Sequence, residues 1–193
     1  MTRAHCMKTN GRQWSRTDAD FVEGYRSVSD DLAAHVGVLT CMRGSRPHAI
    51  AVDSYMDVSY GPPTMAVSVY SGSRMQESLD MADGFVLNLL AEDQKSVAQW
   101  LGEPGQPLYG LLDSVPTFTT ASGRVAIAGS IAWFDCDSVT EHEIATHTLS
   151  VGAVRVFGRP GRPSFATGTS VSGRPGPLLR WAGEYGAFTT RPS

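Results

Sequence analysis

From Val36 the chain changes its hydrophobic period. Val36, Val38 and Thr40 alternate with Gly37, Leu39 and Cys41, a two-residue repeat that puts one set on each face of a strand. Arg43-Gly-Ser-Arg46 then reads as a turn into a second strand near 47–56, so the segment is a β-hairpin. Strand-like runs return at Thr64–Tyr70 and Phe85–Leu90, near 127–139 and near 147–157, the last two joined by the polar Thr140–Glu143. With 20 glycines and 11 prolines punctuating 193 residues, the chain is built for many turns and short strands. The pattern is mainly β, an antiparallel β-barrel with a few helices around it.

The helices are short. Thr17 can cap one over about 18–34, where Phe21, Tyr25, Val28 and Leu32 recur at spacings of four, three and four behind Asp18 and Asp20. A capped helical stretch starts at Ser73, and another short helix contains Val97, Trp100 and Leu101. Residues 102–126 form a Gly/Pro/Ser/Thr-rich connection, longer than most internal loops and a candidate lid. Residues 1–16 read as a flexible leader ahead of a single domain over 17–193. In the Gly/Pro/Arg-rich stretch 158–193, Arg159, Arg162, Arg174, Arg180 and Arg191 face one acid, Glu184, and a solvated coil is their expected role.

Charge and motifs remove several functions. A net charge of −3, from 16 basic and 19 acidic side chains without a sustained basic run, gives no electrostatic footprint for nucleic acid. No apolar run reaches the ~20 residues of a membrane helix. Cys6, Cys41 and Cys136 are odd in number and include no Cys-x-x-Cys pair, which suggests neither a disulfide framework nor a thiolate zinc site and makes a reducing cytoplasm the expected location. His142-Glu143 is followed by Thr146 and only then by His147, one position too late for a helical zinc protease site. The Gly-x-x-x-x-Gly-Lys, Gly-x-Gly-x-x-Gly and Gly-x-Ser-x-Gly patterns are missing, so a nucleotide would have to be recognised by another route.

Several segments, read in order, resemble one family. They are Val36-Gly-Val-Leu-Thr40, Arg46-Pro-His-Ala-Ile-Ala51, Ser54-Tyr55, Val58-Ser59, Pro62-Pro63, Ser73-Arg74, Gly84-Phe-Val-Leu-Asn-Leu-Leu-Ala91 and Gln94. Ala132-Trp-Phe-Asp-Cys136, His147-Thr-Leu-Ser-Val-Gly152, Pro177-Leu-Leu-Arg-Trp181 and Tyr185 complete the set. The chain resembles the flavin reductase-like proteins, whose fold is an FMN-binding split β-barrel, over about residues 25–190. The resemblance implies a homodimer with FMN or FAD in a groove near the subunit boundary. It also implies reduction of that flavin by NADH or NADPH and, in many members, its delivery to a separate monooxygenase.

The resemblance further implies positions. Ala51, Val52, Asp53 and Ser54 would run beside the isoalloxazine ring, and Ser59, Ser73 and Arg74 would lie towards the ribityl phosphate. Asn88, Leu89 and Leu90 would offer backbone groups to the ring edge. His147 would be the catalytic residue on the nicotinamide side, with Trp181 and Tyr185 closing the pocket. Each has a plainer role as well: Ser73 as an N-cap, Arg74 as a solvated helix residue, Asn88 as a satisfied buried amide, Trp181 and Tyr185 as core or interface aromatics. Two other functions stay open, a flavin that remains bound and acts on an organic substrate, and a barrel that binds another ligand or partner without redox turnover.

Two acids bear on the choice. By strand alternation Ala51, Asp53, Tyr55 and Asp57 share one face. An unscreened carboxylate about 4 Å from a phosphate would cost roughly 4 kcal/mol at an effective dielectric of ~20. Either an arginine neutralises Asp53, or flavin is weakly held and exchangeable, or the phosphate lies elsewhere, or the pocket no longer takes flavin.

Overall fold

The computed structural model describes residues 18–107, 110–159 and 175–188; the expected leader and most of the arginine-rich terminal stretch lie outside the described residues. Asp18 rather than Thr17 caps α1 (Ala19–Ser29), its Oδ1 accepting from the Phe21 N–H at 3.0 Å. The helix stops short of the expected residue 34 because β1 (Ala34–His35) is already paired as strand. There follow β2 (Gly37–Arg43), β3 (Arg46–Val52), β4 (Tyr55–Tyr60), β5 (Pro63–Tyr70), α2 (Arg74–Leu79) and β6 (Gly84–Leu89). A single 3-10 turn (Glu92–Gln94) leads into α3 (Lys95–Gly102), then β7 (Thr117–Thr119), β8 (Val125–Ile127), β9 (Ala132–Ile144) and β10 (His147–Gly158). A C-terminal hairpin, β11 (Leu178–Trp181) and β12 (Glu184–Ala187), closes the described chain. Mainly β architecture with a few helices is the observed class.

Seven strands form one antiparallel sheet in the order β3-β2-β6-β9-β10-β5-β4. The strand expected over 47–56 is in fact two strands at opposite edges of this sheet, with Asp53–Ser54 crossing between them. The shared face of Ala51, Asp53, Tyr55 and Asp57 therefore does not exist: Asp57 lies on the far edge, bonded to the exposed Tyr60 hydroxyl. Alternation describes a continuous strand and is silent about a chain that changes edge.

The sheet is buried on both faces, as the alternation of Val36 to Cys41 foretells. Leu39 and Cys41 join Val67, Met75, Phe85, Leu87 and Cys136 inside the curled sheet. Val36 and Val38 point the other way, to a second core with Ala98, Leu101, Leu111, Leu112, Val115, Ile127 and Leu178. Segment 102–126, expected as a lid, supplies three of those core residues and the β7–β8 hairpin. Arg124, nearly buried, fastens it by donating to Asp135 at 2.6 Å, Asp137 at 3.0 Å and Asp83 at 3.2 Å. The Thr120 and Ser122 hydroxyls donate to the other oxygen of Asp135, and a Cβ on Gly84 would strike both the Cys136 carbonyl and the Arg124 guanidinium.

Candidate functional site

The edge crossing opens a gap in the wall. β4 pairs with β5 only from Pro63 to Val67, and the Ser68 N–H donates to the Ser54 carbonyl at 2.8 Å. Beyond that bond Val69 and Tyr70 continue without β4, while β3 pairs with β2 alone among the described strands. The result is a wedge with Asp53–Ser54 at its apex, the bare edge of β3 on one side and Ser68–Tyr70 on the other. Helix α2 crosses the open end, where the imidazole Nδ1 of His48 on β3 meets the Ser78 hydroxyl of its last turn at 2.8 Å. From Ala51 back to His48 the β3 edge measures about 10 Å at ~3.3 Å per residue.

Each end has its own chemistry. At the apex Arg180 Nη1 donates to Asp53 Oδ2 at 2.6 Å, and the Asp53 carboxylate also accepts from the Ser54 hydroxyl at 3.2 Å. The Arg180 guanidinium is held even more firmly charged by that bond. Tyr185 packs beside Ala51: a Cβ on Gly102 would lie 3.6 Å from the Ala51 Cβ and 4.0 Å from the Tyr185 hydroxyl. At the open end Ser73 Oγ caps α2 by accepting from the Gln76 N–H at 3.1 Å, which leaves its own proton to donate. Arg74 Nη2 donates to the Gln106 carbonyl at 2.7 Å. Ser78 donates to the Arg74 carbonyl, so His48 supplies the proton of their contact. Desolvation first, then the nearby cations Arg74 and Arg43, hold the His48 imidazole below its usual range. Arg43 is itself paired with Glu77 at 3.5 Å, so Arg74 is the cation at this end that could hold an anion.

Several expected residues take other places. Asn88 is fully buried, its Nδ2 donating to the Val38 carbonyl at 3.0 Å and to the Val86 carbonyl at 3.3 Å, its Oδ1 accepting from Ile127 N–H at 2.9 Å. Leu89 and Leu90 have no backbone groups to offer a ring edge. The Leu89 carbonyl accepts from Ile131, the Leu90 N–H donates to Val36, and the Leu90 carbonyl takes both Leu178 N–H and His35 Nε2. Central strands spend their polar groups on both neighbours; the free donors belong to edge strand β3, which includes Ala51 and Val52. Ser59 pairs with Thr64 and accepts from the Gly61 N–H, well away from Ser73 and Arg74. It lines a separate cavity of about 510 Å³ with Tyr55, Met56, Tyr60, Leu89 and Phe134. His147 stands behind the wedge, its ring 5.8 Å from that of Tyr70 and its Nδ1 3.0 Å from the Thr146 hydroxyl. Trp181 is exposed near the turn of the C-terminal hairpin.

Arg180, expected in a solvated coil, instead lies in β11 paired with Asp53 because a charge in a half-buried strand needs a partner, and His48 has no site role in the sequence. A lone cation in the apolar run Leu178–Trp181 is the signal for Arg180. The donor set fits a flavin: the Ser73 hydroxyl and the Arg74 guanidinium at one end, a bare strand edge between, and an acid neutralised by Arg180 at the other.

Known proteins share this architecture. Residues 29–189 match the family model described as flavin reductase like domain. The chain is 31% identical to the NADH-dependent flavin reductase StyB of Pseudomonas fluorescens over 140 residues, 72% of each. It is 27% identical to HsaB, the reductase subunit of a flavin-dependent monooxygenase of Mycobacterium tuberculosis, over 83% of this chain and 79% of that one. The styrene monooxygenase flavin reductase of Pseudomonas putida S12 superposes with a TM-score of 0.70 at 27% identity, covering 86% of this chain and 99% of its own. Nitrilotriacetate monooxygenase component B from Mycobacterium thermoresistibile reaches a TM-score of 0.78 at 23% identity, over 92% of this chain and 93% of that one, which speaks for the fold.

Proposed function

Because the chain belongs to the flavin reductase-like domain family, we propose that it is an NAD(P)H-dependent flavin reductase that delivers reduced flavin to a separate monooxygenase. NADH is the donor favoured by the named relatives. The observation that carries the reading is the Asp53–Arg180 ion pair, which removes the repulsion an unpaired carboxylate at the apex would exert on the negative charge that grows on the flavin ring during reduction. When bound, the flavin supplies the redox chemistry, accepting two electrons and a proton equivalent from the nicotinamide.

The chain's part is placement. The bare β3 edge turns the Ala51 backbone N–H towards the ring, where it stabilises negative charge that grows on reduction, while neighbouring Val52 is paired with Gly37 of β2. Ser73 and Arg74 hold the phosphate of FMN, or of FAD, by charge-assisted hydrogen bonds. Tyr185 packs the ring from the Ala51 side, and His147 orients the nicotinamide. Asn88 and Ser59 stay out of this set. Two chains form a homodimer around the site. The cytoplasm is the proposed location, and the free buried thiols of Cys41 and Cys136 suit its reducing conditions.

The test adds FMN, FAD and riboflavin in turn to the purified protein and follows oxidation of NADH and NADPH. Flavin-dependent oxidation is expected, reduced in Arg74→Ala through flavin affinity and in His147→Ala through kcat/KM for the nicotinamide. Unchanged kinetics in both variants would overturn the site, and no oxidation with any flavin would overturn the function.

A further inference from the structure

Helix α1 carries an apolar stripe that the described residues leave in solvent. Tyr25, Val28 and Leu32 fall on one side of the helix and its exit turn, yet are 69%, 71% and 74% exposed, and no residue of α1 is buried. The helix is nonetheless anchored, because the Ala182 N–H of the C-terminal hairpin donates to the Asp30 carbonyl at 2.9 Å. Its polar side is solvated in the ordinary way, with Arg26 bonded to Glu23. A stripe of this kind on a short anchored helix is a contact surface without its contact.

The same chain carries a second unfilled apolar surface. The cavity of about 510 Å³ at the β4–β5 end of the barrel is walled by Leu89, Phe134 and Tyr55, and at its rim stand Met56 and Tyr60, 54% and 88% exposed. Beside them Val58, at the irregular pairing between Asp57 and Ser59, is 53% exposed. One surface is a convex ridge and the other a concave mouth. A two-fold axis that lays the ridge of each copy in the mouth of the other satisfies both at once, which is how an isologous interface works. With about 150–200 Å² for a full-sized apolar side chain, these six residues expose roughly 700 Å² per chain, close to the ~800 Å² per partner of a standard stable interface.

We propose that the two copies of the homodimer exchange α1, the stripe Tyr25–Val28–Leu32 of one copy covering the barrel mouth at Met56 and Tyr60 of the other. The proposal rests on the homodimer of the preceding reading and gives it an interface. It also brings the partner's helix to the cavity whose wall Tyr55, next to the Asp53–Ser54 crossing, helps to form.

The test measures the mass of the full chain by light scattering during gel filtration, for the wild type and for Val28→Glu and Met56→Glu. A dimer that each substitution separately shifts to the mass of one chain, with near-ultraviolet dichroism preserved, is the expected result. Cysteine pairing guards against a change that merely unfolds the barrel. In a Cys6→Ser background, Val28→Cys mixed with Met56→Cys is expected to give a covalent pair under mild oxidation, and neither variant alone to do so to the same extent. A wild-type monomer, a dimer indifferent to both charges, dissociation by only one of them, or no mixed covalent pair would each overturn the exchange. Flavin-dependent NADH oxidation is read on the same samples. A monomer that turns over sinks the interface and leaves the reductase reading standing, and a dimer with the expected sensitivities but no turnover does the reverse.

Discussion

Arg180 and Asp53 lie 127 positions apart and meet at 2.6 Å. The pair joins the C-terminal hairpin to the point where the chain leaves one edge of the sheet for the other. Its side chains are 42% and 32% exposed, so its contribution to stability is small, at most about 1 kcal/mol. Its larger effect is on what may approach Asp53. Arg180→Gln is expected to raise the Kd for FMN roughly tenfold or more, about 1.4 kcal/mol per decade, with little change in Tm. Adding Asp53→Asn to that variant removes the bare carboxylate and restores most of the affinity, as a fluorescence titration of flavin would show.

Asn88 offers a contrast. Its amide fastens three backbone groups in the core, so Asn88→Ala leaves the Ile127 N–H and the Val38 carbonyl buried without it. At about 1–3 kcal/mol for a stranded buried group, a loss of roughly 2–4 kcal/mol in urea unfolding is expected. Flavin affinity per folded molecule stays unchanged. A large rise in Kd with stability intact would return Asn88 to the site.

The Arg124 cluster is the third test. Asp135 is completely buried, and its charge is met by Arg124 and by the Thr120 and Ser122 hydroxyls. Arg124→Met strands that carboxylate, and breaking a buried pair in this way costs about 3–5 kcal/mol. The double change Arg124→Met with Asp135→Asn recovers part of the loss. Denaturant unfolding of the two variants against the wild type checks both statements.

Acid acts through two histidines. Burial is the main force lowering the pKa of His35, partly offset by its bond to the Leu90 carbonyl, and burial with the neighbouring cations lowers that of His48. In the unfolded chain both take up protons near 6.5, so the unfolded state binds more protons below that pH and stability falls as pH drops. Tm is expected to hold above about pH 6.5 and decline below it. The decline is shallower in His48→Gln, where one of the two groups is gone, and an equal slope in both proteins would refute the assignment.

How much of this was legible depends on how local the cause is. The near-continuous apolar run from Val36 to Cys41, apolar on both faces of its alternation, fits a strand between two cores. Gly44, at φ 63°, supplies the left-handed turn residue between β2 and β3, and Ser73 caps α2 where a capped helix is expected. The break at Asp53–Ser54 is marked by two consecutive polar residues that interrupt the apolar run after Val52, but that the two halves of 47–56 lie at opposite edges is set by strand order. Leu111, Leu112 and Val115 were hidden: an aperiodic segment can be core when another element folds over it. The Arg180–Asp53 bond, like the burial of Asn88, is set by strand order, which no short window contains. For the site this meant that Ala51 to Ser54 border one end of the wedge and Ser73 and Arg74 the other, whereas Ser59 lines a separate cavity and Asn88 lies in the core.

The wedge between β3 and β5 also sets a timescale. A ligand enclosed by a barrel must wait for some wall to unfasten before it can depart. One lodged in an open seam is wetted along its length, and its departure breaks only the contacts it makes there. Residence there is short by construction, which suits a molecule that must leave reduced and reach a second enzyme before oxygen consumes it.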